Sequence, residues 1–223
     1  MLNIRASDTV LEIGSGNRPR SRANVLCDKF PADNTERAGG QPLALDRRPF
    51  VVADACALPF RSKSFDYVIT SHLLEHIPDP GAFVAELTRV ASAGYIETPS
   101  ELGEAIFGWS FHRWRVHLDN GTLVLRPRRS PSVFGEYFHS AYENSTLFAE
   151  FVDTHRDDFY VRLEWRGTIP IRVDNRPGDE VQLNRGTAWA PAGSSLRGAI
   201  ASGLLMIATL LLRVGRHLRK EDG

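Results

Sequence analysis

Apolar residues in the first half of this chain gather in short runs that each stop at a glycine, an aspartate or a small polar residue. Thr9 to Ile13 (TVLEI) stops at Gly14, Asn24 to Cys27 (NVLC) at Asp28, and Phe50 to Ala53 (FVVA) at Asp54. Phe65 to Thr70 (FDYVIT) is a fourth run, and Gly94 to Glu97 (GYIE) begins a fifth. Short β-rich runs bounded by turn formers read as buried strands of a parallel sheet. Between the fourth and fifth lies a helix. Asp79 is suited to cap it, Pro80 to open it, and Phe83, Val84, Leu87 and Val90 recur at helical spacing. Strands alternating with helical or irregular connections predict an α/β fold.

After residue 100 the pattern changes. Arg113 to Leu118 and Thr122 to Arg126 flank Asp119-Asn120-Gly121, whose Asn-Gly pair predicts a tight β-hairpin. Residues from about Ser132 to Asp153 have helical character. Phe159 to Trp165 alternates and, with Thr168 to Val173 across Arg166-Gly167, predicts a second hairpin forming the antiparallel last strands. The fold class expected is thus a Rossmann-like, mostly parallel sheet with antiparallel last strands and a hairpin inserted after the fifth. Residues 1–175 make one domain, with a cofactor half (1–100) and a hairpin, lid and last strands (101–175). Residues 176–195, rich in loop formers, read as a linker, and 196–223 as an apolar-basic C-terminal helix.

Within that helix, Gly198 to Leu212 is apolar on all sides and precedes Arg213, Arg216, His217, Arg219 and Lys220. As a helix the apolar part spans ~22 Å, short of a ~30 Å hydrocarbon core. Burial, a dimer contact and anchoring at a membrane surface through 198–220 are the alternatives it leaves.

The chain has 223 residues and 27 basic against 27 acidic side chains, so its formal charge is zero and nucleic acid is not an expected partner. Cys27 and Cys56 show no CxxC spacing and read as reduced thiols. The start, MLNIRASDTVLEIG, lacks the basic and apolar segments of a secretory signal. A cytoplasmic location is expected, with contact at the inner membrane surface as the option the C-terminal segment raises.

Strand ends carry the chemistry, because ligands of open α/β sheets bind beyond the carboxyl ends of the strands. Glu12-Ile13-Gly14-Ser15-Gly16-Asn17 offers a glycine turn that a ligand can approach closely. Pro19 stands where the dinucleotide fingerprint has its third glycine, which favours a ligand without pyrophosphate and disfavours an NAD-type oxidoreductase. Asp28 is placed to accept from ribose hydroxyls, with Asp46 as a competitor; a solvated turn is the plainer role of either. Asp54 and Ala55 suit an adenine, and Ser71 and His72 lie at the mouth of the fourth strand.

These stretches resemble the class I S-adenosylmethionine-dependent methyltransferase superfamily, in its branch with a methyltransferase-11-type domain. The resemblance covers Val10 to Ser100 and rests on VLEIGSG, VVADACALPFRSKSFDYV and SHLLEHIPDP, in that order. It implies that Glu12, Gly14, Ser15 and Gly16 cradle the methionine part of S-adenosyl-L-methionine and that Asp28 holds the ribose. Asp54 and Ala55 would meet the adenine, and Ser71 and His72 lie near the sulfonium. One departure stands out. Only Asn17 to Ala23 joins the glycine turn to the second strand, too little for an ordinary helical crossover.

Methyl transfer is an in-line displacement that depends mainly on alignment, with a base helping a hydroxyl acceptor. His72, His76 and His112 are the candidate bases; helix packing and structural roles are the alternatives for His76 and His112. No metal is expected, since Glu75 between His72 and His76 is not in the HExxH position. Glu97-Thr98-Pro99-Ser100 lacks the Asn-Pro-Pro-aromatic motif of enzymes acting on planar amino groups. Phe107 to Trp114 is aromatic and basic, suited to stacking on an acceptor or to packing a small core. The expected activity is methylation, at oxygen, of a small-molecule, glycan or lipid-linked acceptor. A non-catalytic methyltransferase-like scaffold is the alternative, and the oligomeric state is open.

Overall fold

The computed structural model describes residues 2–37, 40–128 and 134–175. Its strands and helices, in chain order, are β1 (Val10–Ile13), β2 (Val25–Asp28), β3 (Phe50–Val52), β4 (Phe65–Ser71), a 3₁₀ turn (Leu74–His76), α1 (Pro80–Val90) and β5 (Ala91–Pro99). Then follow α2 (Glu101–Phe107), β6 (Trp114–Asp119), β7 (Thr122–Pro127), α3 (Gly135–Asn144), α4 (Thr146–Thr154), α5 (Arg156–Phe159), β8 (Tyr160–Arg166) and β9 (Ile171–Val173). Six strands form the main sheet in the order β3-β2-β1-β4-β5-β8, and β6-β7-β9 form a small second sheet. The first five strands of the main sheet pair in parallel, and β8 closes the edge antiparallel to β5. This is the mostly parallel α/β sheet, with an antiparallel late strand, that the sequence predicts.

The apolar runs become strands because both faces of the sheet are covered. On one face Leu11, Ile13, Val68 and Ile96 pack with Phe83 and Leu87 of α1 and with Val116, Leu123 and Leu125 of the small sheet. On the other, Val10, Tyr67, Ile69, Ala93 and Tyr95 pack beneath Leu2 and Ile4. Each such side chain contributes roughly 1.5–3 kcal/mol when fully buried. Asp79 caps α1 as predicted, accepting from the Ala82 amide at 3.0 Å, with Pro80 in the first turn.

Between β1 and β2 the chain forms a loop in place of a helix. Arginines hold it in place. Arg48 donates to the Arg20 and Ala23 carbonyls at 2.6 and 3.2 Å. Arg22 reaches back to the Arg5 and Asp8 carbonyls at 2.6 and 2.7 Å. A loop over a sheet must find partners for its peptide groups; the Arg48 guanidinium supplies them here, while Arg22 ties the loop to the segment before β1.

Three predicted elements differ. The 168–173 segment does not fold back on β8: only an isolated Arg166–Thr168 bridge forms, and β9 pairs in parallel with β7. Gly167, at φ 77°, turns the chain away, and Pro170, which has no amide to give β8, accepts from the Leu123 amide at 2.8 Å. The 132–153 helix is two helices, because Ser145 ends α3 and caps α4 by accepting from the Phe148 amide. β5 starts at Ala91, handed over directly from α1, ahead of the predicted start at Gly94. The Asn-Gly hairpin forms as predicted, with Asn120 and Gly121 at φ 49° and 82°. The 176–195 linker and the apolar-basic helix over 196–223 lie outside the described residues. Among those described, no helix is long and apolar enough to cross a membrane.

Candidate active site

The glycine turn is held from below. The amides of Gly14 and Ser15 both donate to the Cys27 carbonyl, at 2.8 and 3.3 Å, which ties the end of β1 to β2. Gly14 and Gly16 take φ angles of 71° and 55°, a region that strains other residues. A Cβ on Gly16 would meet nothing nearer than the Gly14 carbonyl at 3.9 Å, so the space over Gly16 is open, while Leu73 covers Gly14 at 3.2 Å. Ser15 is buried and its hydroxyl has no hydrogen-bond partner among the described residues. Beneath the turn Glu12 accepts from the Arg20 amide at 2.7 Å. Burial pushes its carboxyl up to about 7, against that hydrogen bond and the charges of Arg20 and Arg48.

The two carboxylates at the next strand ends differ in how they are held. Asp28 accepts from the Gly16 amide at 3.3 Å and the Phe30 amide at 3.0 Å, and pairs with Arg37 at 3.2 Å. Asp54 pairs with Lys29 at 2.7 Å, and both side chains are largely in water, 41% and 51% exposed. The Lys29 hydrogen bond, with that from the Cys56 amide, holds the Asp54 carboxyl below its usual range. Ala55 is buried behind it. An exposed pair such as Lys29–Asp54 gives way to a ligand at little cost, whereas Asp28 is engaged on both oxygens. Asp46 is paired with Arg48 through both of its oxygens.

At the end of β4 the chain bends sharply. His72 has φ 54°, an uncommon angle for a residue with a side chain, and its amide donates to the Glu97 carbonyl at 2.8 Å. Its ring is half-exposed, with Nδ1 3.6 Å from Glu75, Nε2 3.9 Å from Glu97, and an edge-to-face contact with Tyr160 at 5.5 Å. Burial pulls the imidazole pKa down, but the neighbouring carboxylates of Glu75 and Glu97 outweigh it and leave it above the ordinary value. Ser71 accepts from Arg20 at 3.1 Å, and the same guanidinium reaches Glu97 at 3.2 Å. Arg156 approaches Glu97 at 3.6 Å and lies over the Tyr160 ring. Sequence reasoning missed Arg20, Glu97, Arg156 and Tyr160. Only Glu97, at a strand end, carried a local signal.

The other two predicted bases lie deeper, one turn further on. His76 stacks on Phe111 at 5.5 Å and meets His112 edge-on at 4.8 Å. Burial lowers the His76 pKa, with the neighbouring Glu75 opposing. His112 is buried with Nδ1 2.6 Å from Glu104. Burial raises the Glu104 carboxyl, while His112 and Arg128 pull it back. Glu75 is fully enclosed and accepts from the Thr98 hydroxyl at 2.8 Å. In the Phe107 to Trp114 segment, Trp109 stacks on His139 at 4.2 Å, and Trp114 donates to the Ile77 carbonyl at 2.6 Å. Packing accounts for both rings.

The turn, Asp28, Asp54 and the Ser71–His72 corner therefore stand at the carboxyl ends of four neighbouring parallel strands. Open space over Gly16, an unpartnered Ser15 hydroxyl and an exchangeable Asp54 fit an adenosyl amino acid, and the sheet order places them side by side. Residues 26–96 match the methyltransferase domain family. Over that stretch the chain is similar to a methyltransferase domain. It is 33% identical over 96 residues to an uncharacterized methyltransferase of Mycobacterium avium, covering 40% of this chain and 37% of that one. It is 34% identical over 104 residues to the 27-O-demethylrifamycin SV methyltransferase of Amycolatopsis mediterranei, covering 42% of this chain and 38% of that one. It is 36% identical over 98 residues to the chloroplastic tocopherol O-methyltransferase of Arabidopsis thaliana, covering 38% of this chain and 27% of that one. The chain thus spans less than two-fifths of the length of these curated relatives.

Proposed function

We propose that this chain is an S-adenosylmethionine-dependent methyltransferase that methylates a hydroxyl of a small-molecule, glycan or lipid-linked acceptor. The observation that carries the reading is the row of strand ends from Gly14 to His72, open above Gly16 and bounded by an exchangeable Asp54. When bound, the cofactor supplies an electrophilic methyl group on a sulfonium. The chain's own share is to bind, orient and take a proton. Asp54 and Ala55 hold the base and Asp28 the sugar, while the Gly14–Gly16 turn meets the amino-acid tail. His72 takes the acceptor's proton, held by Glu75 on one side and Glu97 on the other with its ring on Tyr160. The names of two relatives, one a tocopherol O-methyltransferase and one acting on 27-O-demethylrifamycin SV, support oxygen as the acceptor atom.

Calorimetry with S-adenosylhomocysteine and NAD side by side tests the reading. Binding of the former alone is expected, and a folded chain that binds neither or only NAD overturns it. With an acceptor in hand, His72→Gln should lower kcat by ~10²–10⁴-fold and leave S-adenosylhomocysteine affinity within a few-fold. One observation favours a second reading, a binding scaffold without transfer: the Arg20 guanidinium lies 3.1 Å from Ser71, a cation beside the expected sulfonium. If Arg20→Ala tightens S-adenosylhomocysteine binding while no labelled methyl enters any component of a host extract, that second reading takes over.

A further inference from the structure

We propose that Glu75, His76 and His112 hold a divalent transition-metal ion of the zinc type, which fastens the segment after α2 to the mouth of β4. Each residue offers a ligand atom, and the three atoms lie within 4.8 Å of one another. Two polar atoms of these residues are also unsatisfied. Glu75 Oε1 and His76 Nδ1 are buried without a hydrogen-bond partner among the described residues, although Glu75 is only 1% exposed. Buried polar atoms are nearly always paired, so two orphans in one cluster call for a ligand. A plain ion network does not satisfy these atoms, since His72 Nδ1 and Glu36 Oε2 stop 3.6 Å from Glu75 Oε1 and His76 Nδ1, beyond hydrogen-bond reach.

The surroundings are built as metal surroundings usually are. Glu104 takes the Nδ1 of His112 at 2.6 Å, which fixes the ring and turns Nε2 away from that bond. A carboxylate behind a histidine ligand is the commonest outer-shell arrangement. Thr98 occupies the other oxygen of Glu75 at 2.8 Å, leaving Oε1, with His72 Nδ1 3.6 Å away, to coordinate. The backbone is pinned too: the Arg113 amide donates to the Glu75 carbonyl at 2.7 Å, and the Trp114 indole to the Ile77 carbonyl at 2.6 Å. A fourth ligand is at hand in the half-exposed Glu36, whose Oε2 lies 3.6 Å from His76 Nδ1.

Two imidazoles and one or two carboxylates suit zinc and its neighbours, not magnesium or calcium, which prefer all-oxygen shells. Bonds of about 2.1 Å in a tetrahedron set ligand atoms about 3.4 Å apart, so the three atoms must draw together by about an ångström. Rotation of the His76 ring, which no hydrogen bond restrains at Nδ1, supplies that movement. Glu75 and His76 are adjacent in sequence while His112 arrives from another element, so no spaced motif announces the set.

The test uses the full chain without a histidine tag. Elemental analysis after dialysis should find about one zinc per chain, and adding Co²⁺ to chelator-treated protein should give the visible bands of a four-coordinate site. His112→Ala and His76→Ala should each weaken Co²⁺ binding at least ~100-fold, and Glu104→Gln ~10–100-fold. His139→Ala, which removes a ring stacked on Trp109 outside the cluster, should leave it unchanged. An unaltered chain that retains no metal and gives no Co²⁺ spectrum overturns the proposal without reference to any variant's folding. So does a folded His112→Ala chain that binds Co²⁺ as tightly as its parent. S-adenosylhomocysteine calorimetry on the same samples reads the methyltransferase proposal separately.

Discussion

The strand ends at Asp54 and His72 and the region of α2 and the β6–β7 hairpin hold their charged groups in opposite ways. Asp54 and His72 stand where the backbone places them, and their side chains stay reachable. In the second region the charges are inside. Glu101 pairs with His117 at 2.9 Å, and Glu104 with His112 at 2.6 Å and Arg128 at 3.1 Å, all between α2 and the β6–β7 hairpin. The first arrangement spends little folding energy on its charges and leaves them for a ligand. The second uses them as internal ties, so a substitution there should register as lost stability and a strand-end substitution as lost binding.

The strongest test of that division is Glu104→Ala. It leaves His112 and Arg128 buried without their carboxylate and should cost about 3–5 kcal/mol in chemical denaturation. A loss under about 1 kcal/mol would show that these charges are not ties. Next comes Glu12, a buried acid of β1 whose carboxyl is pushed up to about 7 by burial. Its unfolded value lies near 4.5, so between pH 4.5 and 7 the folded chain binds more protons than the unfolded one. Stability therefore falls as pH rises through that window, by about 3 kcal/mol at most, and levels off above it. Urea midpoints at pH 5 and pH 8 should show Glu12→Gln free of this loss; equal slopes in both chains would place Glu12 among the reachable charges. The smallest effect belongs to Asp54→Ala. S-adenosylhomocysteine should bind it ~10–100-fold more weakly, about 1.4–2.7 kcal/mol, with unfolding unchanged within ~0.5 kcal/mol. Asp28→Ala, which loses two amide bonds and Arg37, should move both readings.

The same division explains what the sequence reveals. TVLEI, FDYVIT and Asp79-Pro80 are local patterns, and local geometry decides them: buried parallel strands, a capped helix, a glycine turn at positive φ. The strand-end carboxylates inherit their places from those elements. His76 and His112, read as candidate bases, turn out to face each other because α2 and the 3₁₀ turn bring them together, which no spacing encodes. Arg20 and Arg156 converge on Glu97 from far apart in sequence for the same reason. The 168–173 segment alternates well enough for a strand, but alternation names no partner, and Pro170 and Gly167 send it to β7.

That strand has a consequence for the order in which the molecule is made. The β6–β7 hairpin pairs neighbours through a tight turn, a contact between residues close in sequence that forms early. β9 pairs Ile171 with Leu123 only after α3, α4, α5 and β8 have come between them. Loop closure of this kind costs more entropy than a hairpin and is gained late. By the same measure β8, which pairs Arg166 with Ala93, closes a longer loop still, so the hairpin, β9 and β8 stand in order of rising closure entropy.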